Sequence, residues 1–115
     1  MIFYMNGIRW AVRFVNPTSS RLIDRTNTLT LATTDPSTSC IYISKGISGE
    51  LLKHVIRHEL AHCVMLSYDL LTDIHKMVKK QYWVYAEEWM CNFIADHNEE
   101  ITKLENDISQ LFQTP

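Results

Sequence analysis

The H-E-x-x-H motif of residues 58–62 constrains this chain more than any other stretch. It lies inside a segment that predicts a helix beginning after Ser48 and ending near Ser67, since no Gly or Pro interrupts residues 50–67. On a helix, residues four apart lie on one face, about 5–6 Å apart at Cβ. The imidazoles of His58 and His62 can therefore reach the same metal ion.

Glu59 follows the first histidine, so its carboxylate can lie beside the metal without binding it. There it can accept a proton from a water that the metal activates, which is how zinc metallopeptidases make their nucleophile. Two histidines and a glutamate would otherwise be costly to bury in an apolar helix. The motif therefore predicts bound Zn²⁺, with Glu59 as the general base for hydrolysis of a peptide bond.

A hydrolytic zinc site needs a third protein ligand and one open position. The extended motif that continues with Gly and His is absent, because Met65 and Tyr68 stand at those positions. A carboxylate from a second helix is the other common solution, and Glu87 and Glu88 are the candidates. Glu88 is preferred as the ligand because Asn92, four residues later, can accept a hydrogen bond from a ligand histidine. The spacing alone leaves Glu87 open.

Two further groups of residues could take part in the chemistry. Cys40 precedes the motif, as the cysteine ligand does in peptide deformylase, but the flanking sequence of that enzyme is missing. A tyrosine often stabilises the oxyanion in such enzymes, and nothing in the sequence chooses among Tyr68, Tyr82 and Tyr85.

Composition narrows the class of protein. With 115 residues the chain predicts a single domain spanning residues 1–115, and a net charge of −2 argues against direct binding of nucleic acid. No run approaches the roughly 20 apolar residues that cross a bilayer, so no membrane association is expected. The three cysteines are widely spaced and form no C-x-x-C pair, which favours a reducing cytoplasm.

The remaining pattern predicts an α+β fold. Asn6-Gly7 predicts a hairpin within residues 2–15, and residues 28–33 and 40–44 are predicted as two strands joined by a turn at residues 35–38. A second helix is predicted over residues 82–96, and Asn98 is predicted to begin another. The apolar stripe of that last helix is expected to pack in the core, and consists of Ile101, Leu104, Ile108, Leu111 and Phe112.

Four segments together resemble the ImmA/IrrE-type metallopeptidases, above all the short versions encoded by phages and integrative elements. They are residues 41–44, 49–52, 58–62 and 87–95. The resemblance implies a minimal zincin-like fold, in which a small antiparallel or mixed sheet packs on the active-site helix. It also implies that residues 40–44 form the edge strand beside the substrate, so that Ile41, Tyr42 and Ile43 bind an extended peptide by main-chain hydrogen bonds. Relatives cleave repressor-type transcription regulators, so a repressor is the expected substrate.

Two other functions remain open at this point. A binding module could hold structural zinc and sequester a regulator without cleaving it, although such a module needs no general base at residue 59. A SprT-like protease acting on DNA-bound proteins shares the zinc motif. The near-neutral charge and the absence of a zinc ribbon argue against that function.

Overall fold

A computed structural model describes residues 1–113. Over this range the chain forms a four-stranded mixed sheet and three α-helices, so the predicted α+β class is confirmed. The strands are β1 Ile2–Met5, β2 Ile8–Val15, β3 Ala32–Asp35 and β4 Cys40–Ser44. The helices are α1 Gly49–Ser67, α2 Leu70–Met77 and α3 Trp83–Gln113.

The predicted hairpin joins β1 to β2. Asn6 and Gly7 both have positive φ, 50° and 77°, as a type I′ turn requires. The strands pair antiparallel, with Met5 opposite Ile8 next to the turn. Local turn chemistry is therefore sufficient to place this hairpin.

Strand β4 lies inside the sheet, whose order is β1-β2-β4-β3. It pairs parallel with β2 and antiparallel with β3, and all five of its residues are buried. The expectation that Ile41, Tyr42 and Ile43 form the edge strand is therefore wrong. A short, continuous apolar run of this kind is typical of a strand buried on both faces. The edge beside it belongs to β3.

Strand β3 is shorter and later in the chain than predicted, at residues 32–35 instead of 28–33. Residues 24–28 form a tight turn because the Asp24 carboxylate accepts hydrogen bonds from the backbone N–H groups of Thr26 and Thr28. Leu29 keeps only an isolated bridge to Ile23. The backbone N–H of Asp24 also donates to the Thr28 carbonyl, and that of Thr30 donates to the Leu22 carbonyl, so the first half of the predicted segment pairs back on residues 22–24 and not with β4.

Helix α1 has the predicted bounds and packs between the sheet and α3. Its C-terminal end is tied to the sheet by Trp10, whose indole N–H donates to the Ser67 hydroxyl at 2.9 Å. The apolar residues under the motif, Cys63 among them, meet the sheet around Trp10, Ile41 and Ile43. The H-E-x-x-H motif is therefore carried on a helix that is held on two sides.

Helix α3 is continuous, so the prediction of a new helix at Asn98 is wrong. No Gly or Pro lies within residues 83–113, and an Asn inside a helix costs well under 1 kcal/mol. The expectation that Ile101, Leu104, Ile108 and Leu111 pack in the core is also wrong, since all four are exposed. At 31 residues, α3 is longer than the 19-residue α1 on which it packs, and its C-terminal half extends past it. The side chain of Phe112 lies outside the described part of the chain.

Candidate metal centre

His58 and His62 lie on the same face of α1, as their spacing predicts. Their Nε2 atoms are 3.2 Å apart and their rings meet edge to face, with centroids separated by 4.9 Å. Both nitrogens thus point at a common place between α1 and α3.

Glu88 brings a carboxylate to that place from α3. Its Oε2 atom lies 3.3 Å from Nε2 of His58, and its Oε1 atom lies 3.4 Å from Nε2 of His62. Contact with His58, and then with His62, lowers the pKa of Glu88 well below its usual value. His58, His62 and Glu88 therefore form a group of two nitrogen donors and one ionised oxygen donor that could hold a metal ion.

Glu87, the alternative ligand, faces the other side of the His62 ring. Its Oε1 atom lies 3.2 Å from Nδ1 of His62, and its side chain is only 7% exposed. Burial raises the pKa of Glu87, but contacts with His62 and Arg25 outweigh burial and lower it overall. An ionised Glu87 can accept a hydrogen bond from Nδ1–H and so hold Nε2 free to bind a metal.

Asn92 was expected to make that hydrogen bond, and this expectation is wrong. The residues of α3 that are buried against α1 are Glu87, Cys91 and Ala95, which repeat every four positions. Asn92 lies next to this row and is exposed to solvent. The side chain that can orient His62 is therefore Glu87, which lies 3.2 Å from its Nδ1 atom.

Arg25 connects the two glutamates, and sequence reasoning missed it. Its Nη1 atom lies 2.8 Å from Oε2 of Glu87 and its Nη2 atom lies 3.3 Å from Oε1 of Glu88. The turn organised by Asp24 carries Arg25 to this position. No sequence pattern marks an arginine that is more than 60 residues from its partners.

Glu59, the predicted general base, is buried beside the histidines and 5% exposed. The hydroxyl of Thr34, on β3, donates to its Oε2 atom at 2.5 Å. Thr34 is a second residue that the sequence does not single out, because its role depends on the packing of β3 against α1. Its hydroxyl fixes the direction in which the Glu59 carboxylate points.

The cysteines occupy the core. Burial and the nearby Glu59 carboxylate raise the pKa of the Cys63 thiol to about 12, so it stays protonated. Cys40 packs with Leu22 and Tyr42 in a separate cluster, which places it apart from the histidines and argues against the arrangement of peptide deformylase.

A cleft runs along the group of His58, His62 and Glu88. It lies between α1 and the open edge of β3, and the turn that carries Arg25 forms a further wall. None of the three candidate tyrosines is among the described residues that line it. Oxyanion stabilisation by Tyr68, Tyr82 or Tyr85 therefore has no support from their positions.

Comparison with known proteins adds no family assignment, since no family model and no curated protein sequence matches this chain. Over residues 1–113, no helix is both long and apolar enough to cross a membrane.

Proposed function

We propose that this chain is a zinc-dependent metallo-endopeptidase. The observation that carries the proposal is the position of Glu59, a buried carboxylate next to a His-His-Glu group and at the wall of an open cleft. A purely structural metal site has no use for a carboxylate held ready beside it. The sequence resemblance to the ImmA/IrrE-type metallopeptidases supports the same function.

The three donors suit zinc. Ligands at about 2.0–2.2 Å from a tetrahedral ion lie about 3.3 Å from one another. The Nε2 to Nε2 distance is 3.2 Å, and the two carboxylate contacts are 3.3 and 3.4 Å. Imidazole and carboxylate donors fit zinc well, and three protein ligands leave one coordination position open.

When bound, zinc would supply Lewis-acid chemistry by acidifying a water and polarising the scissile carbonyl. The protein's own residues would transfer the proton and hold the reacting groups in position. Glu59 would accept the proton of the attacking water and deliver it to the leaving amine. Thr34 holds the Glu59 carboxylate in place, and Glu87 keeps the proton of His62 on Nδ1.

We propose β3, instead of β4, as the strand that binds the substrate. Ser44 N–H donates to the Leu31 carbonyl at 2.8 Å, and Thr33 pairs with Tyr42 in the same register. By alternation, the backbone groups of Ala32 and Thr34 point to the open edge. The hydroxyl of Thr30 is shared between the carbonyls of Leu22 at 2.7 Å and Ala32 at 2.9 Å, so we assign pairing with an extended peptide to the Ala32 N–H and both backbone groups of Thr34.

A peptide that adds to β3 should show a period of two in its dependence on main-chain N–H groups. We expect N-methylation at alternate positions of a cleaved peptide to raise KM about tenfold, because each such position loses a hydrogen bond and gains a clash. N-methylation at the intervening positions should have a smaller effect. The measurement is steady-state cleavage of a set of singly methylated peptides, and a profile without alternation would contradict the assignment of β3.

The expected substrate is a repressor-type regulator of a phage or mobile element, cleaved in the bacterial cytoplasm. This part of the proposal rests on the resemblance to ImmA/IrrE-type proteins. The buried, unpaired state of Cys40, Cys63 and Cys91 is compatible with a reducing compartment.

Removal of the metal tests the proposed function directly. We expect the purified protein to contain about one zinc ion per chain, since the three donors form a single site. Its cleavage of an unstructured peptide mixture should fall to background after treatment with 1,10-phenanthroline and return when zinc is added. Mass spectrometry of the products and elemental analysis of the protein are the measurements. Cleavage that persists in metal-free protein would overturn the proposal.

A further inference from the structure

The C-terminal half of α3 presents a row of apolar side chains to solvent. Ile101, Leu104, Ile108 and Leu111 are between 52% and 73% exposed, and we refer to these four residues as the α3 stripe. Contiguous exposed side chains of this size are typical of a protein interaction site.

The spacing of the α3 stripe indicates what could cover it. Its members follow one another at intervals of 3, 4 and 3 residues, which is the a and d pattern of a heptad. Ile94 and His97 continue the pattern toward the N-terminus, where a shallow groove lies beside Ile101. A period of 3.5 suits side-by-side packing against another helix, and Ile at a with Leu at d favours two strands.

The charges beside the α3 stripe limit which helix can bind. Glu100 and Asp107 lie along one flank of the stripe and Glu105 lies along the other, at the g and e positions of the heptad. Lys103 lies on the far face of the helix. The stripe is therefore an apolar surface with acidic borders.

A second copy of the chain is a poor occupant for this reason. Parallel pairing would place Glu100 of one copy opposite Glu105 of the other. Antiparallel pairing would bring Glu100 of one copy near Asp107 of the other. Both arrangements juxtapose like charges, which disfavours self-association.

We propose that the α3 stripe binds an amphipathic helix of a partner protein whose apolar face is bordered by Lys or Arg. The apolar residues provide the contact area, and the acidic borders select the basic partner. This surface is separate from the metal centre, so the proposal does not depend on peptidase activity.

A pair of synthetic helical peptides tests the proposal. Both have Ile at a and Leu at d over about four heptads, with Lys at e and g in one and Glu at e and g in the other. Fluorescence anisotropy with the full chain should show at least tenfold tighter binding of the Lys peptide. High salt should reduce that difference, because it screens exposed charges.

Substitutions locate the binding surface. Ile101→Ser combined with Leu104→Ser should abolish binding of the Lys peptide, while helical content and metal stoichiometry stay unchanged because both residues are outside the core. Glu105→Lys should weaken binding of the Lys peptide and strengthen binding of the Glu peptide, each by roughly two- to fivefold. Thr102→Lys combined with Asn106→Lys adds the same charge away from the stripe and is the matched control; it should not reverse the preference.

Sedimentation velocity of the chain alone completes the test. A monomer that prefers the Lys peptide supports the proposal. A dimer that Ile101→Ser and Leu104→Ser dissociate would make a second copy the occupant and overturn it. Equal binding of the two peptides, or no binding of the Lys peptide, would also overturn it.

Discussion

Glu59→Gln is expected to leave zinc bound and to lower kcat by roughly 10²- to 10⁴-fold. The glutamine amide cannot accept the proton of the attacking water, yet its carbonyl oxygen can still accept the hydrogen bond that Thr34 donates to the carboxylate. The loss should therefore be one of proton transfer, with the fold and the metal centre intact. The measurements are kcat on a peptide substrate and zinc content of the same preparation.

Two companion variants sharpen this result. Glu50→Gln changes a strongly exposed carboxylate at the start of the same helix and should behave as the wild type. Thr34→Val removes only the hydroxyl that orients Glu59, so it should lower kcat by several-fold without loss of zinc. Wild-type turnover in Glu59→Gln would remove this residue from the mechanism.

Glu88→Ala is expected to weaken zinc binding on the order of a hundredfold or more. The proposed centre would keep only two of its three protein ligands, which are too few to hold zinc tightly. Glu87→Gln should lower the zinc affinity by about 10- to 100-fold. The glutamine amide is a poorer acceptor for Nδ1–H of His62, and it forms no ion pair with Arg25. Competition with a chromogenic chelator measures both affinities.

Asn92→Ala is the control for this pair. The spacing of Asn92 from Glu88 predicts a role in orienting a histidine, but its side chain is exposed. Its zinc affinity should therefore equal that of the wild type. If Glu87→Gln weakens zinc binding more than Glu88→Ala does, the ligand is Glu87 and not Glu88. A large loss of zinc affinity in Asn92→Ala would contradict the orientation of α3.

Interactions within a few residues account for the features that could be predicted. The hairpin at Asn6-Gly7 depends on two residues that accept positive φ, and α1 depends on an uninterrupted run of helix-forming residues. The orientation of His58 and His62 toward the same side of α1 follows from the helical repeat alone. Each of these needs no information about the rest of the chain.

The predictions that were wrong concern features that depend on which segments of the chain pack against one another. The apolar run of β4 indicates burial, but only the pairing of β3 outside it decides which strand has the open edge. The stripe of α3 has the period of a core helix, but its exposure follows from the length of α3 relative to α1. The spacing of apolar residues identifies the apolar face of a helix, but it does not identify what packs against that face.

The sequence by itself therefore determined the α1 helix, the pair of histidines and the glutamate beside them, because one helical turn sets their geometry. The tertiary structure decided that Glu88 faces both histidines while Glu87 faces the back of His62, since neighbouring residues on a helix point about 100° apart and only the docking of α3 on α1 selects between them. It also brought Arg25 and Thr34 to the centre from a turn and a strand that no local pattern connects to it.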